Sequence, residues 1–253
     1  MNNEVGPVPI NRRTRAWFVY LSFLVLLLTP PFAIGYIIES IFGGRRKGFL
    51  RWTRSWGKTI FWLAGIKLRV EGVVDESDTP CVFVANHQNS LDIPAMAVAI
   101  GVPFGYVAKA SLARMPFLGW ALRISPSVFV DTRNPKVSIE SMGKAAREIR
   151  SGSSVVIFPE GERTWSDQMV PFKKRGLALA VEAGVPIVPV AIVDAHTLFD
   201  ERHHAARPGP MGVVVGAPIS PDEIRSASMP ELLDSVQNRI REMSRQYLRN
   251  NEN

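Results

Sequence analysis

Residues 82–92 read VFVANHQNSLD. The apolar run Val82–Ala85 gives way at once to Asn86 and His87, and Asp92 follows five positions after the histidine. An apolar run without alternation predicts a strand buried on both faces, as in a sheet covered by helices on each side. Its polar end predicts that the chain leaves the core there, and functional side chains of open α/β sheets gather at the carboxyl ends of strands. Ser90 reads as the N-cap of a helix through Leu91–Ile100, with Pro94 tolerated in its first turn. Asp92 then sits near the helix N-terminus, where the dipole favours the ionised carboxylate. A turn between strand and helix can fold His87 back against Asp92, which would hold one imidazole nitrogen and leave the other to accept a proton. The pair lacks an enzyme nucleophile, so the reacting hydroxyl would come from a substrate. Taken alone, the same residues also describe a capping aspartate and a satisfied loop histidine.

Outward from this stretch the pattern repeats. From about Ile66 short β-rich runs, IKLRVEG, CVFVAN, FGYVAK, SVFVD, SSVVIFP, PIVPVAI and GVVVG, alternate with helical stretches at Leu91–Ile100, Pro135–Arg150, Leu177–Ala183 and Pro230–Asn250. The alternation predicts an α/β fold with a largely parallel or mixed central sheet flanked by helices. The last helix reads as a surface or docking element. Two parts are expected, a helical segment over residues 1–65 and the α/β domain over 66–253. One cysteine, Cys81, excludes an internal disulfide. No cysteine or histidine spacing suggests a metal site, His203 and His204 being adjacent in a polar loop.

Charge separates the two parts. Residues 1–70 carry eleven Lys and Arg against Glu4 and Glu39, a balance of +9, whereas the other 183 carry nineteen basic against twenty-one acidic residues. A basic excess confined to one end argues against a nucleic-acid groove across the domain and for an anionic partner beside the N-terminus. The uncharged run Ala16–Ile38 is long enough as a helix to match a bilayer core. Pro30 and Pro31 interrupt it and basic residues flank both ends, which favours a re-entrant or in-plane hairpin broken at the prolines over a single span. No A-x-A-like cleavage site accompanies it, so a cleaved signal peptide is disfavoured. In residues 49–65 Trp52, Trp56, Ile60 and Leu63 recur at helical spacing among Arg51, Arg54 and Lys58, the pattern of an interfacial helix on anionic lipid. A helix simply packed on the domain is the alternative.

Other strand ends are also polar. SSVVIFPEGERTWSD, 153–167, runs from a strand into Glu160, Gly161, Glu162 and Arg163. Gly161 permits positive φ or a close backbone approach, and Arg163 suits a bidentate phosphate grip. Arg133 and Lys136 follow the strand SVFV, and Lys173, Lys174 and Arg175 precede a helix. Three cationic loops beside one His/Asp pair point to a phosphate-bearing substrate.

NHQNSLD (an H-x4-D box), FPEGERT about 70 residues later and VPIVPVAI resemble the motifs of the 1-acylglycerol-3-phosphate acyltransferases and related glycerophospholipid acyltransferases, in the same order and spacing. The resemblance covers roughly Ile66–Gly216. It implies the glycerolipid acyltransferase fold with an N-terminal membrane-associated segment. The implied reaction is acyl transfer from acyl-CoA or acyl carrier protein to lysophosphatidic acid, at an anionic phospholipid surface and without a cofactor, metal or nucleic acid. It implies a catalytic domain facing the cytoplasm, at the inner membrane in a bacterium. His87 would be the general base and Asp92 its support. Glu160, Gly161 and Arg163 match the acceptor-binding box, and Arg133 and Lys173 are further candidates for the phosphate. Two motifs depart from the family pattern, the second also at Thr164, where a serine is usual. Asp131-Thr132-Arg133 places the arginine one residue late, and Glu162 stands where a threonine is usual. An acid beside a phosphate site leaves another lysolipid acceptor open.

Overall fold

The computed structural model describes residues 8–130 and 135–251. The chain begins with α1 (Arg12–Ile41) and α2 (Arg45–Leu63). Then follow β1 (Ile66–Glu71), β2 (Val82–Ala85), α3 (Asp92–Ala99), β3 (Phe104–Lys109), α4 (Leu118–Ile124), β4 (Val128–Val130), α5 (Pro135–Arg150) and β5 (Ser154–Ile157). The last part holds α6 (Lys174–Ala183), β6 (Ile187–Val193), the short strands β7 (Phe199–Asp200) and β8 (Ala205–Ala206), β9 (Gly209–Val215), α7 (Pro221–Ser226) and α8 (Met229–Asn251).

Seven strands form one sheet in the order β1-β9-β6-β2-β5-β3-β4. All neighbours are parallel except β6 and β9, so β1 and β9 run against the other five. The sheet is therefore mixed and largely parallel, as expected. Alternate residues of β2 divide between two cores. Phe83 and Ala85 join Phe49, Ile60 and Met96 on one face, while Val82 and Val84 join Ile149, Leu179 and Ile240 on the other. This two-sided burial explains why Val82–Ala85 has no polar position to alternate with. β2 lies between β5 and β6 and points the same way, so the carboxyl ends of these three strands share one edge.

Three expectations are corrected or narrowed. Pro30 and Pro31 do not break the N-terminal helix, which runs unbroken for 30 residues. The prolines forfeit two internal hydrogen bonds, but packing holds both flanks. Leu21 and Leu24 are buried before them and Ala33 and Tyr36 after, and the Trp52 ring lies directly against Gly35. The hairpin lies instead between α1 and α2, joined by a turn at Phe42–Gly44. Second, the stripe of Trp52, Trp56 and Ile60 on α2 faces the protein core, the alternative weighed for it. Phe49, Ile60 and Phe61 are buried, Trp52 and Trp56 pack against the same core, and Trp52 Nε1 donates to Glu39 at 2.8 Å. Arg45 and Arg46 bind the domain through the carbonyls of Ile124 and Ser151. Residues 45–63 thus share one core with the sheet. Third, of the two readings of α8 the surface one gives way to docking, because Leu232, Val236, Ile240 and Tyr247 are buried and Gly212 makes room for the Tyr247 ring.

The longest run of exposed apolar side chains lies on α1. Val19, Phe23, Leu26, Leu27, Ile34, Ile38 and Ile41 all face outward, Leu26 being 73% exposed. Among the described residues α1 is the one helix long and apolar enough to cross a membrane. Yet both halves also touch the domain. In the first half Phe18 stacks on Phe199 at 5.1 Å, and in the second the Tyr36 ring meets Phe49 at 5.4 Å.

Candidate active site

At the edge where β2 ends, the chain turns through Asn86, His87, Gln88 and Asn89 into α3. Asn86 continues the sheet with its side chain, donating from Nδ2 to the Ile192 carbonyl at 2.9 Å and accepting from Ile192 N–H at 2.7 Å. Asn89 Nδ2 donates to the carbonyls of Ala195 (2.7 Å) and Phe199 (2.8 Å), and its oxygen accepts from Leu91 N–H. Two buried amides thus fasten the turn to β6 and to the chain that follows it.

His87 folds back as expected. Its Nδ1 lies 2.7 Å from Asp92 Oδ2, and that oxygen also accepts the N–H groups of Gln88 (2.6 Å) and Asn89 (3.0 Å). Asp92 is 0% exposed. Burial pushes its carboxyl above the ordinary range, opposed by the His87 bond and the two backbone N–H groups. Its other oxygen, Oδ1, has no hydrogen-bond partner among the described residues. The ring of His87 stacks on Phe158 at 4.2 Å, fixing its plane, and its side chain keeps 14% exposure. With Nδ1 held by Asp92, Nε2 is left for chemistry.

Ser90 is not the cap. The N-cap position of α3 is Leu91, with no side-chain cap, because Asp92 already satisfies the turn's backbone donors. The Ser90 hydroxyl donates instead to Glu201.

The loop after β5 closes over this turn. Thr164 N–H donates to the His87 carbonyl at 3.0 Å, and Trp165 N–H to that of Gln88 at 2.9 Å. Glu160 is also 0% exposed, so it is no open acceptor contact. Its Oε1 accepts the backbone N–H of His87 at 2.7 Å and its Oε2 that of Val170 at 2.9 Å. Burial pushes this carboxyl up too, opposed by the two N–H bonds. Gly161 has φ +73°, a left-handed conformation that accounts for glycine at the tip.

The candidate cations are placed differently. Arg163 Nη1 is 3.0 Å from both oxygens of Glu201, with the arginine side chain 41% exposed. Lys173, preceding α6, lies 3.7 Å from Glu162, so the unusual acid faces a cation. Arg133 lies outside the described residues, as does the side chain of Lys136. His203 is held 2.8 Å from Asp200, and among the described residues no three His, Cys, Asp or Glu side chains converge as a metal site would.

Glu201 and Asn89 escaped the sequence reading. Asn89 obeys the strand-end rule already applied, since it follows β2, whereas Glu201 lies in the turn between the two-residue strands β7 and β8. Glu201, however, stands in a polar stretch with no run or spacing to single it out.

A family model described as Acyltransferase matches residues 67–193. A 1-acyl-sn-glycerol-3-phosphate acyltransferase of Pseudomonas aeruginosa is 33% identical over 168 residues, 64% of this chain and 65% of that protein. The enzyme of that name from Saccharomyces cerevisiae is 29% identical over 181 residues, 70% of this chain and 60% of the other. The chain thus spans less than two thirds of the length of these relatives. The crystal structure of the 1-acyl-sn-glycerophosphate (LPA) acyltransferase PlsC from Thermotoga maritima matches 93% of this chain and 96% of its own, with a TM-score of 0.79 and 24% identity, a likeness of fold.

Proposed function

The chain belongs to the acyltransferase family, and on that premise we propose that it transfers a fatty acyl group from an acyl thioester to the sn-2 hydroxyl of 1-acylglycerol-3-phosphate, giving phosphatidic acid. The observation that carries the reading is the His87–Asp92 pair, 2.7 Å apart, with Asp92 buried. His87 Nε2 takes the proton of the acceptor hydroxyl, and the oxygen attacks the thioester carbonyl carbon. Collapse of the tetrahedral intermediate breaks the C–S bond, and the imidazolium returns its proton to the departing thiolate. Asp92 keeps the Nδ1–H tautomer and balances the transient imidazolium charge. The acyl group passes directly between substrates, with no acyl-enzyme.

Arg163 is the phosphate grip in this reading, Lys173 and Arg133 assist it, and Gly161 admits the headgroup close to the backbone. Glu160 braces His87 rather than touching the acceptor. The outward stripe of α1 lies in the membrane interface beside anionic lipid, with the site on the cytoplasmic side, and lets the acceptor arrive without leaving the bilayer. The donor is acyl-CoA or acyl carrier protein, and no cofactor takes part. A second reading, the same chemistry on another lysolipid, is favoured by the pairing of Glu162 with Lys173 beside Gly161.

The test is a panel of lysolipids offered to detergent-solubilised protein with one acyl thioester. The expected result is phosphatidate and free thiol in equal amounts with lysophosphatidate. Turnover of another lysolipid in its place would establish the second reading, and thiol release without acylated lipid would refute both.

A further inference from the structure

Glu201 belongs to none of the motifs, yet three donors from the two motif loops converge on it. Arg163 Nη1 lies 3.0 Å from each carboxylate oxygen, Trp165 Nε1 lies 3.1 Å from Oε2, and Ser90 Oγ donates to Oε1. Ser90 stands between His87 and Asp92, whereas Arg163 and Trp165 stand in the loop after β5. Trp165 holds φ +51°, unfavourable for an aromatic residue, while its indole bonds Glu201 and supports the Arg202 guanidinium 5.0 Å from the ring centroid. Only one of the three Arg163 nitrogens is engaged by Glu201, so Nη2 and Nε can still meet a phosphate side-on.

Glu201 itself is carried by the β7–β8 hairpin, and that hairpin rests on α1. The Phe18 ring stacks on Phe199 at 5.1 Å with 13° between planes, and meets His204 at 5.1 Å. A continuous chain of contacts therefore runs from the apolar helix through Glu201 to Arg163.

We propose that Glu201 is a positioning residue for the acceptor's phosphate, holding Arg163 in its binding orientation and tying that orientation to the seat of the hairpin on α1. The inference rests on the acyltransferase reading above. Two effects of Glu201 oppose each other. Its charge repels a phosphate, but that charge is already balanced by Arg163. Its bonds also restrain a half-exposed, rotamer-rich side chain that would otherwise lose its freedom when the acceptor binds. Pre-organisation wins, and removing Glu201 weakens acceptor binding.

The test compares wild type, Glu201→Gln, Arg163→Ala and the double variant in full-length, detergent-solubilised protein, with initial rates against lysophosphatidate at saturating acyl thioester. Glu201→Gln keeps an oxygen for Trp165 and Ser90 but loses the charge. The expected result is a rise of about tenfold in KM for lysophosphatidate, with kcat changed less than about threefold. In the Arg163→Ala background the same substitution should add nothing, because the two act as a unit. An unchanged or lower KM in Glu201→Gln overturns the inference while leaving the acyltransferase reading intact, and so do effects that multiply independently in the double variant. Wild type inactive on lysophosphatidate overturns the reading and the inference together. Should Glu201→Gln prove unstable by thermal melting, Phe18→Leu, which unseats the hairpin from a distance, must raise KM in the same direction.

Discussion

The loops after β2 and β5 leave neighbouring parallel strands at the same edge, yet they are built on opposite terms. In the β2 loop nearly every polar group is buried and partnered by backbone, with Asn86, Asn89 and Asp92 all closed off from solvent. In the β5 loop Glu160 is built in the same manner, but Arg163, and Lys173 beyond it, are open and paired only with carboxylates. Under the proposed function, the contrast follows from what each loop would have to do. A proton-transfer pair works only at fixed distance and tautomer, so it is locked by bonds that water cannot exchange. A phosphate grip must release its resting partner when the ligand arrives, so it uses exposed ion pairs that cost little to break.

The contrast can be attacked from its rigid side first. Asp92→Asn is expected to lower turnover about 10²–10³-fold while the protein still folds, because the amide preserves the shape of the turn but not the tautomer or charge that His87 requires. Rates and thermal melts on the same sample check this. A melting temperature near that of wild type is expected at neutral pH, since the amide oxygen can keep the two backbone N–H bonds that Asp92 Oδ2 now accepts.

Glu160→Gln comes next. An amide can accept only one of the two backbone N–H groups now bound, so a loss of about 1–3 kcal/mol in stability is expected. His87 would loosen with it, and a denaturant series beside the activity assay reads both. Arg163→Lys tests the open side. It keeps the charge but loses the planar fork, so KM for lysophosphatidate should rise about tenfold with little change in kcat.

The smallest effect concerns pH. His196, whose N–H donates to Gln88 at 3.1 Å, has its proton affinity lowered by burial, against the raising influence of Asp167 and Asp92. A lowered value means that the folded state binds this proton less well than the unfolded chain. Its contribution is present above the ordinary histidine value, about 6.5, and is lost as pH falls through the folded one. His196→Asn should flatten stability between about pH 6.5 and the acid end, by at most about 1.4 kcal/mol per pH unit. An unaltered slope would remove His196 from the account.

The centre of the sheet was legible because β2, β5 and β6 are apolar on both faces. FGYVAK was placed residue for residue as β3, and Pro135–Arg150 was delimited correctly as α5. His87, Asp92 and the glycine at 161 were legible because strand ends and a tight tip leave marks on the chain. What lay hidden depends on distant packing. Nothing near Pro30 and Pro31 says that Leu21 and Tyr36 will brace a continuous helix, so a break was expected. The stripe of Trp52, Trp56 and Ile60 has the same composition whether lipid or protein covers it. Glu160 has the polarity of a ligand contact, and only the path of the β2 loop turns it inward. Because α2 belongs to the core, removing residues 1–65 would dismantle the domain. Membrane attachment is better tested with Leu26→Glu and Leu27→Glu on the exposed stripe, expected to weaken vesicle binding while activity on a detergent-dispersed acceptor persists.

The central claim is that His87 activates a hydroxyl belonging to the acceptor. It is tested most directly by single-turnover acylation of lysophosphatidate by His87→Ala, following acylated lipid and released thiol together. The account predicts a loss of about 10³-fold or more in both products, with vesicle binding unchanged. Acylation at the wild-type rate in that variant would contradict it.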